Sequence, residues 1–296
     1  MREPVAVIGL GLMGTALSEA LIRAGFEVRG FDLNPEPRDA LERSGGRAFN
    51  SSIAAAEGLG LVVTSLPTGD QVREVCIGPQ GIASHLAPNA VVIDTTTSRP
   101  EDSVDIADRL ATNDIGFVDA CISGSSNMVA DHDVVIMVGG ASEHVAQSMP
   151  VLDAIARSVH HVGPVGSGAS TKLVVNLVLG AHRLALAEGL TLAARSGLDP
   201  VVVLEVLRDG VAYSKAMDIW GPRMLAGGID PPTSRLRQHH KDVRLMLEQG
   251  DRVGAPLPLT TALNEVLNDA ERLDLSEADI SGLIEVLRRI AEERDR

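Results

Sequence analysis

Apolar positions in the first half of the chain come in short runs separated by helical spacings. Pro4 to Leu10 (PVAVIGL) is short, apolar and β-branched, the pattern of a buried parallel strand. Ala16, Leu17, Ala20, Leu21 and Ala24 then recur at helical spacing over Thr15 to Ala24, and Gly25 stops that helix. The same reading gives a strand over Glu27 to Asp32, a helix over Pro37 to Ser44, and a strand over Leu59 to Leu66 ended by Pro67. It continues with a strand over Ala90 to Asp94, a helix over Pro100 to Thr112, and strands over Gly116 to Asp119 and Val134 to Gly139. Such alternation predicts right-handed crossovers and a doubly wound parallel sheet.

The pattern changes near Gly163. The stretch Gly163-Pro-Val-Gly-Ser-Gly-Ala is rich in turn formers and suits a boundary. Beyond it no strand is evident. A long helical pattern over Ser170 to Ser196 is followed by helices near Pro200 to Gly210, Ser214 to Ala226, Ser234 to Gly250, Pro258 to Arg272 and Ala278 to Arg294. The expected organisation is an α/β domain over residues 1–163 and an all-helical domain over 164–296. No internal repeat or low-complexity tract stands out.

Composition narrows the function. Of 296 residues, 45% are apolar and 22% charged, a globular balance with enough chain for two cores. Aromatics are only 2%, so the cores must be aliphatic, as parallel sheets and helices allow. A formal charge of -14 argues against nucleic acid as a partner, because neutralising phosphates needs a basic surface. Cys76 and Cys121 read as two reduced thiols without metal-ligand spacing. The first apolar run is short and interrupted by glycine, unlike a secretory leader. The longest apolar stretch, from Leu173, is broken by His182, Arg183 and Glu188, so no membrane span is expected. A cytoplasmic protein is the expectation.

The sharpest local signal is Gly9, Gly11 and Gly14 in Gly9-Leu-Gly-Leu-Met-Gly14. They follow a strand and open a helix, the context in which this spacing binds a dinucleotide in a Rossmann-type sheet. Gly9 permits the tight turn, Gly11 lets backbone approach the pyrophosphate, and Gly14 lets helix and strand pack closely. Leu12 and Met13, between the glycines, count with them as cofactor-binding. Free N–H groups and the dipole at the helix start stabilise phosphate charge. Asp32 ends the second strand, where a carboxylate accepts from ribose hydroxyls and repels a 2′-phosphate. NAD is therefore expected over NADP, with Arg38 as the nearby group able to soften the preference.

Lys172 falls in the first turns of the long helix, with Asn176 four residues on and on the same face. A lysine on a helix is ordinarily a solvated charge. Here Leu173, Val174, Val175, Leu177, Val178 and Leu179 surround it, which predicts burial near a cleft or substrate. Desolvation lowers a lysine's affinity for its proton, as proton transfer requires.

Several motifs in order resemble the β-hydroxyacid dehydrogenase family across the whole chain. They are Gly-Leu-Gly-Leu-Met-Gly (9–14), Thr-Ser-Leu-Pro (64–67), Asp-Thr-Thr-Thr-Ser-Arg-Pro (94–100), Asp-Ala-Cys-Ile-Ser-Gly-Ser (119–125), Ile-Met-Val-Gly-Gly (136–140), Gly-Ser-Gly-Ala-Ser-Thr-Lys-Leu-Val-Val-Asn (166–176) and Lys-Asp-Val (241–243). The resemblance implies an oxidoreductase acting on a small hydroxy acid or semialdehyde, of the 3-hydroxyisobutyrate or tartronate semialdehyde kind. It implies Lys172 as general acid in reduction and general base in oxidation, and Asn176 as a holder of the substrate hydroxyl or carboxylate. Ser123 and the Gly124 backbone would bind the substrate carboxylate, with Ser125 in the same pocket. Lys241 would sit over the nicotinamide end, and Leu66, Pro67 and Thr96 would line the cofactor. A helical domain like that of 6-phosphogluconate dehydrogenase, and assembly as a homodimer or homotetramer, are implied as well.

The chain departs from the family at Cys121-Ile-Ser-Gly-Ser125, where Pro-Val-Ser-Gly-Gly is usual. Ser125 in place of glycine predicts a less free backbone or a reshaped acid pocket. Asp131, His132 and Asp133 read as a solvated loop. The pair His239-His240 points its rings about 100° apart on a helix, which does not suit a metal. Tyr213, Ser214, Trp220 and His240 are further candidates for the acid pocket. Leu184, Leu186, Leu190 and Leu192 spread apolar surface over more than one face, as a subunit contact would. Two other readings are an imine reductase, against which Lys172 and Asp32 weigh, and a non-catalytic dinucleotide-binding protein, against which the intact glycines and lysine weigh.

Overall fold

The computed structural model describes residues 2–227, 232 and 234–294. The chain divides into two compact units, Met1–Lys172 and Leu173–Arg296.

In the first unit the order is β1 (Val5–Ile8), α1 (Leu12–Arg23), β2 (Val28–Phe31), α2 (Pro35–Arg43), β3 (Arg47–Ala48), α3 (Ser52–Ala56), β4 (Leu61–Thr64) and α4 (Gly69–Ile77). It continues through β5 (Val91–Asp94), α5 (Pro100–Ala111), β6 (Gly116–Ser123), α6 (Ser126–Ala130), β7 (Val135–Gly139), α7 (Ser142–Ile155) and β8 (Ser158–Gly163). The strands form one sheet in the order β3-β2-β1-β4-β5-β6-β7-β8. Both faces are covered, which explains the unbroken apolar runs. Val5 and Val7 face a core with Leu17 and Leu21 of α1, while Ala6 and Ile8 face Ala55 and Ala56 of α3. Val92 and Phe117 pack with Val72 of α4 and Ile106 of α5 on that second side.

The sheet is parallel except where β7 runs antiparallel to β6. The connection over 124–134 holds only the five-residue α6, too little for a crossover to a parallel neighbour. Strand β8 was not anticipated. Its sequence SVHHVG is polar and half exposed because it is an edge with one partner. Helix α7 was also missed, since Pro150 inside it interrupts the helical pattern.

Helix α8 (Ser167–Arg195) begins in the first unit and runs on into the second without a break. It starts three residues before the expected Ser170, inside the glycine-rich stretch. The second unit then holds α9 (Pro200–Asp209), α10 (Lys215–Leu225), α11 (Leu236–Val253), α12 (Pro258–Arg272) and α13 (Leu283–Arg294). The last helix starts later than expected because Asp279 accepts from Ser281 N at 3.0 Å and holds a tight turn. Among the described residues of this unit the extended pairing is a single bridge, Arg235 to Asp279.

By length and hydropathy α8 qualifies to cross a bilayer, although charged residues interrupt it, and 44% of that stretch is buried inside the chain. Leu184, Leu186 and Leu190 pack with Leu204, Met217, Val243 and Leu267 in the helical core. Arg183 is buried there too, its guanidinium 3.8 Å from the centre of the Trp220 ring. Those packing partners mark α8 as the central helix of this unit.

Candidate active site

The glycine motif forms the turn between β1 and α1, at the point where strand order reverses between β1 and β4. Gly9 has φ +92°, and a Cβ there would lie 2.3 Å from the Ser65 carbonyl oxygen. A Cβ on Gly14 would lie 1.9 Å from the Gly9 oxygen. These two glycines are required by the fold. Gly11 differs: a Cβ there meets nothing within 4 Å, so its backbone faces open space at the start of α1. The turn thus offers exposed backbone at a helix N-terminus, a cradle that fits a pyrophosphate. Leu12 beside it is exposed and Met13 half-buried.

Asp32 follows β2. Its Oδ2 accepts from Leu10 N at 2.8 Å and its Oδ1 from Asn34 N at 2.9 Å, which fixes the carboxylate beside the glycine turn. Arg38 donates to Asn50 Oδ1 at 3.1 Å. Leu66 and Pro67 follow β4, the first half-buried and the second exposed. Thr96 is buried and acts at one remove: its Oγ1 accepts from Leu66 N at 3.1 Å, and its own N–H donates to Asp94 Oδ1 at 3.1 Å.

Lys172, half-buried in the second turn of α8, donates from Nζ to the Ile122 carbonyl oxygen at 2.6 Å. That carbonyl immediately precedes Ser123 and Gly124 at the end of β6. Gly124 has φ +145°, and a Cβ there would lie 2.5 Å from Val134 Cγ1, so glycine is required. The first unit therefore brings Lys172 to the Ser123-Gly124 turn. Ser125, the departure from the family pattern, has φ −95° and ψ 169°, an extended backbone open to any residue. The change from glycine leaves the chain unstrained.

In the helical unit, Asn176 donates from Nδ2 to Asp242 Oδ2 at 3.0 Å, and Lys241 Nζ lies 3.1 Å from Asp242 Oδ1. Asn176 and Lys241 thus share one buried carboxylate. Asp242 was overlooked in the sequence although it stands inside Lys241-Asp-Val243. Asp119, also overlooked, is buried in β6 with its carboxyl pushed up to about 6, first by burial and then by Asp94 across on β5, against backbone N–H donors that lower it.

Of the other pocket candidates, His240, Trp220 and Tyr213 have partners of their own. His240 is buried, with Nδ1 2.8 Å from Glu271 Oε1 and Nε2 3.1 Å from Asn264 Oδ1 on α12. Trp220 is buried beneath Arg183. Tyr213 is exposed and donates to Asp218, and Ser214 precedes α10. Asp133 pairs with Arg157 at 3.0 Å, and His132, at φ 55°, contacts Asp153 O at 3.0 Å, so the loop after α6 is tied to the end of α7 and the start of β8. Among the described residues, no group of three or more His, Cys, Asp or Glu is placed to hold a metal.

Two family models match. One, described as the NAD binding domain of 6-phosphogluconate dehydrogenase, covers residues 4–163, and the other, NAD-binding of NADP-dependent 3-hydroxyisobutyrate dehydrogenase, covers 166–287. The 2-(hydroxymethyl)glutarate dehydrogenase of Eubacterium barkeri is 30% identical over 282 residues, covering 95% of this chain and 94% of the relative. The 3-hydroxyisobutyrate dehydrogenase of Pseudomonas aeruginosa is 30% identical over 266 residues, covering 86% and 88%. The crystal structure of 3-hydroxyisobutyrate dehydrogenase from Salmonella typhimurium matches with a TM-score of 0.88 at 27% identity, over 96% of this chain and 100% of that one. An imine reductase from Pseudomonas sp., at 21% identity and a TM-score of 0.63 over 97% of this chain and 100% of that one, shares the fold. The chain belongs to the β-hydroxyacid dehydrogenase family. It is an oxidoreductase of that class, working with a nicotinamide dinucleotide.

Proposed function

We propose that the protein is an NAD-dependent dehydrogenase of a small β-hydroxy acid, 3-hydroxyisobutyrate-like or tartronate semialdehyde-like, with Lys172 managing the proton. The observation that carries this reading is the Lys172 ammonium held at the Ile122 carbonyl, beside the Ser123-Gly124 turn. When bound, the nicotinamide supplies or takes up hydride. The protein's part is alignment and charge. In reduction, the Lys172 ammonium stabilises negative charge on the carbonyl oxygen and delivers a proton to it; in oxidation, the neutral amine takes the hydroxyl proton. Ser123, Ser125 and the Gly124 backbone hold the acid's carboxylate, Asn176 the substrate, and Lys241 the nicotinamide end. Gly9, Gly11, Leu12, Met13, Gly14, Leu66, Pro67 and, through Leu66, Thr96 cradle the dinucleotide.

NAD is favoured over NADP because the fixed Asp32 carboxylate repels a 2′-phosphate and Arg38 is turned toward Asn50. A homo-oligomer is part of the same reading. Leu184, Leu186 and Leu190 are spent on the chain's own core, but Val174 (62% exposed), Val178 and Leu192 (68%) lie along an outer line of α8, and Val201, Val202 and Val206 of α9 are exposed. A second copy would bury them. Two buried, unlinked thiols accord with work in the cytoplasm.

The test is NADH formation against a panel of small β-hydroxy acids, wild type beside Lys172→Ala. One acid should be oxidised, with turnover falling about 10²–10⁴-fold in the variant and NAD affinity held within about twofold. Unchanged turnover would remove Lys172 from its role, and reduction of a cyclic imine instead of any acid would favour the imine reductase reading.

A further inference from the structure

The Asp119 carboxylate takes no part in the chemistry just described, yet it is among the most buried charged groups of the first unit, 1% exposed. Its Oδ1 accepts from Gly166 N at 2.9 Å and its Oδ2 from Ala169 N at 2.7 Å. Both amides stand at the start of α8, where the first N–H groups of a helix have no intrahelical acceptor. The first bond within this helix is Ser170 N to Gly166 O at 3.0 Å. One side chain of β6 thus satisfies two amides and sets its charge at the positive end of a 29-residue helix. Small residues let the backbones meet: a Cβ at Gly168 would lie 2.1 Å from the Asp119 carbonyl oxygen, and one at Gly139 2.6 Å from Oδ1. Further along, the same strand takes the helix again, through Ile122 O and Lys172 Nζ. Strand β6 therefore holds α8 at two points, residues 166–169 and residue 172.

We infer that Asp119 is a positioning residue for Lys172: by clasping the start of α8 on β6 it sets where the ammonium rests beside the Ser123-Gly124 turn. The inference rests on the reading of Lys172 as the proton-handling group. The charge bearing on Asp119 is that of Asp94 on β5. From β7 comes the backbone of Gly139, and on β8 His161 turns Nε2 to the carbonyls of Gly140 and Gly163. The first charged residue on α8 is Lys172 itself. With its carboxyl titrating near 6, the clasp has two accepting oxygens above that pH, and below it one oxygen carries a proton toward an N–H.

Asp119→Asn keeps size and shape but turns an NH₂ group against one of the two amides. With the acid that proves active, kcat should fall about 10–100-fold, while KM and NADH affinity, followed by fluorescence, stay within about threefold. In a Lys172→Ala background the same substitution should change the residual rate by less than about twofold, because the residue acts through Lys172. A wild-type kcat, or a loss undiminished in the Lys172→Ala background, overturns the inference. A Lys172→Ala enzyme with full activity removes the underlying reading as well, and the single variant shows this by itself. Should Asp119→Asn fail to fold, hydrogen exchange of the Gly166 and Ala169 amides in the wild type answers instead. For an opening that lifts the helix start while Asp119 stays buried, loss of the two amides raises the carboxyl further, so after correction for intrinsic rates protection about tenfold greater at pH 8 than at pH 5 is expected, and equal protection overturns the clasp.

Discussion

Gly11→Ala and Gly14→Ala separate two demands that one motif makes. At Gly14 a methyl would sit 1.9 Å from the Gly9 oxygen, and ordinary contact begins at 3.4 Å, so α1 must retreat from the β1 turn by about 1.5 Å. Gly9 cannot yield in exchange, since it is itself pressed against Ser65. Overpacking of this kind costs about 1–3 kcal/mol. It also draws the N–H groups at the head of α1 away from where phosphate must lie. At Gly11 a methyl finds empty space, and φ is −64°, so stability should change by only about 0.5 kcal/mol. Yet that empty space is where backbone and pyrophosphate are to meet. NAD affinity should drop at least about tenfold, roughly 1.4 kcal/mol. Denaturant unfolding reads the first quantity and NADH fluorescence titration the second. Gly14→Ala should lose both, Gly11→Ala only the second. A Gly11→Ala protein that binds NADH like wild type would refute the phosphate cradle, and a Gly14→Ala protein as stable as wild type would refute the packing argument.

Asp119 gives a stability prediction. Its carboxyl is raised from 3.8 to about 6, so the folded chain holds the proton more tightly than the unfolded chain. The charge therefore lowers stability above about pH 6, and that loss disappears as pH falls below 3.8; about two units correspond to roughly 3 kcal/mol. Relative to Asp119→Asn, wild type should gain on that order between pH 8 and pH 4 in urea unfolding, and a pH-independent difference would contradict it. Asp32→Ala should reduce the preference for NAD over NADP by about tenfold or more, measured as a ratio of kcat/KM values. Gly124→Ala should cost about 1–3 kcal/mol, from positive φ and the Val134 clash, and raise KM for the acid, whereas Ser125→Gly should shift stability by less than about 1 kcal/mol. Thermal unfolding of the two variants decides between them.

The sheet was readable from sequence where strands are buried on both faces, because continuous β-branched runs such as Leu61–Thr64 and Val91–Asp94 have few other uses. It was not readable at β8, whose histidines face outward, nor in the direction of β7, which follows from the length of a connection and from no property of its residues. Within the site, residues with a characteristic spacing were visible: Gly9, Gly11, Gly14 and Lys172. The acids that organise their surroundings were not. Asp119 meets amides 47 and 50 positions away, and Asp242 meets Asn176 across 66 positions, so neither pairing leaves a local pattern. Apolar spacing likewise failed to sort α8, since Leu190 and Leu192 look alike in sequence while the first is core and the second is exposed.

Helix α8 crosses from one compact unit into the other between Lys172 and Leu173, in mid-helix. A seam inside a continuous helix is not a place where the chain can be cut. A fragment stopped at Gly163 would keep every strand of the sheet but leave the Asp119 carboxylate facing neither Gly166 nor Ala169. One begun at Leu173 would lose the first turn and a half of its central helix. Exchanging the helical half for that of another protein, to graft on a new specificity, therefore has to place its junction within α8 and preserve the turns on both sides.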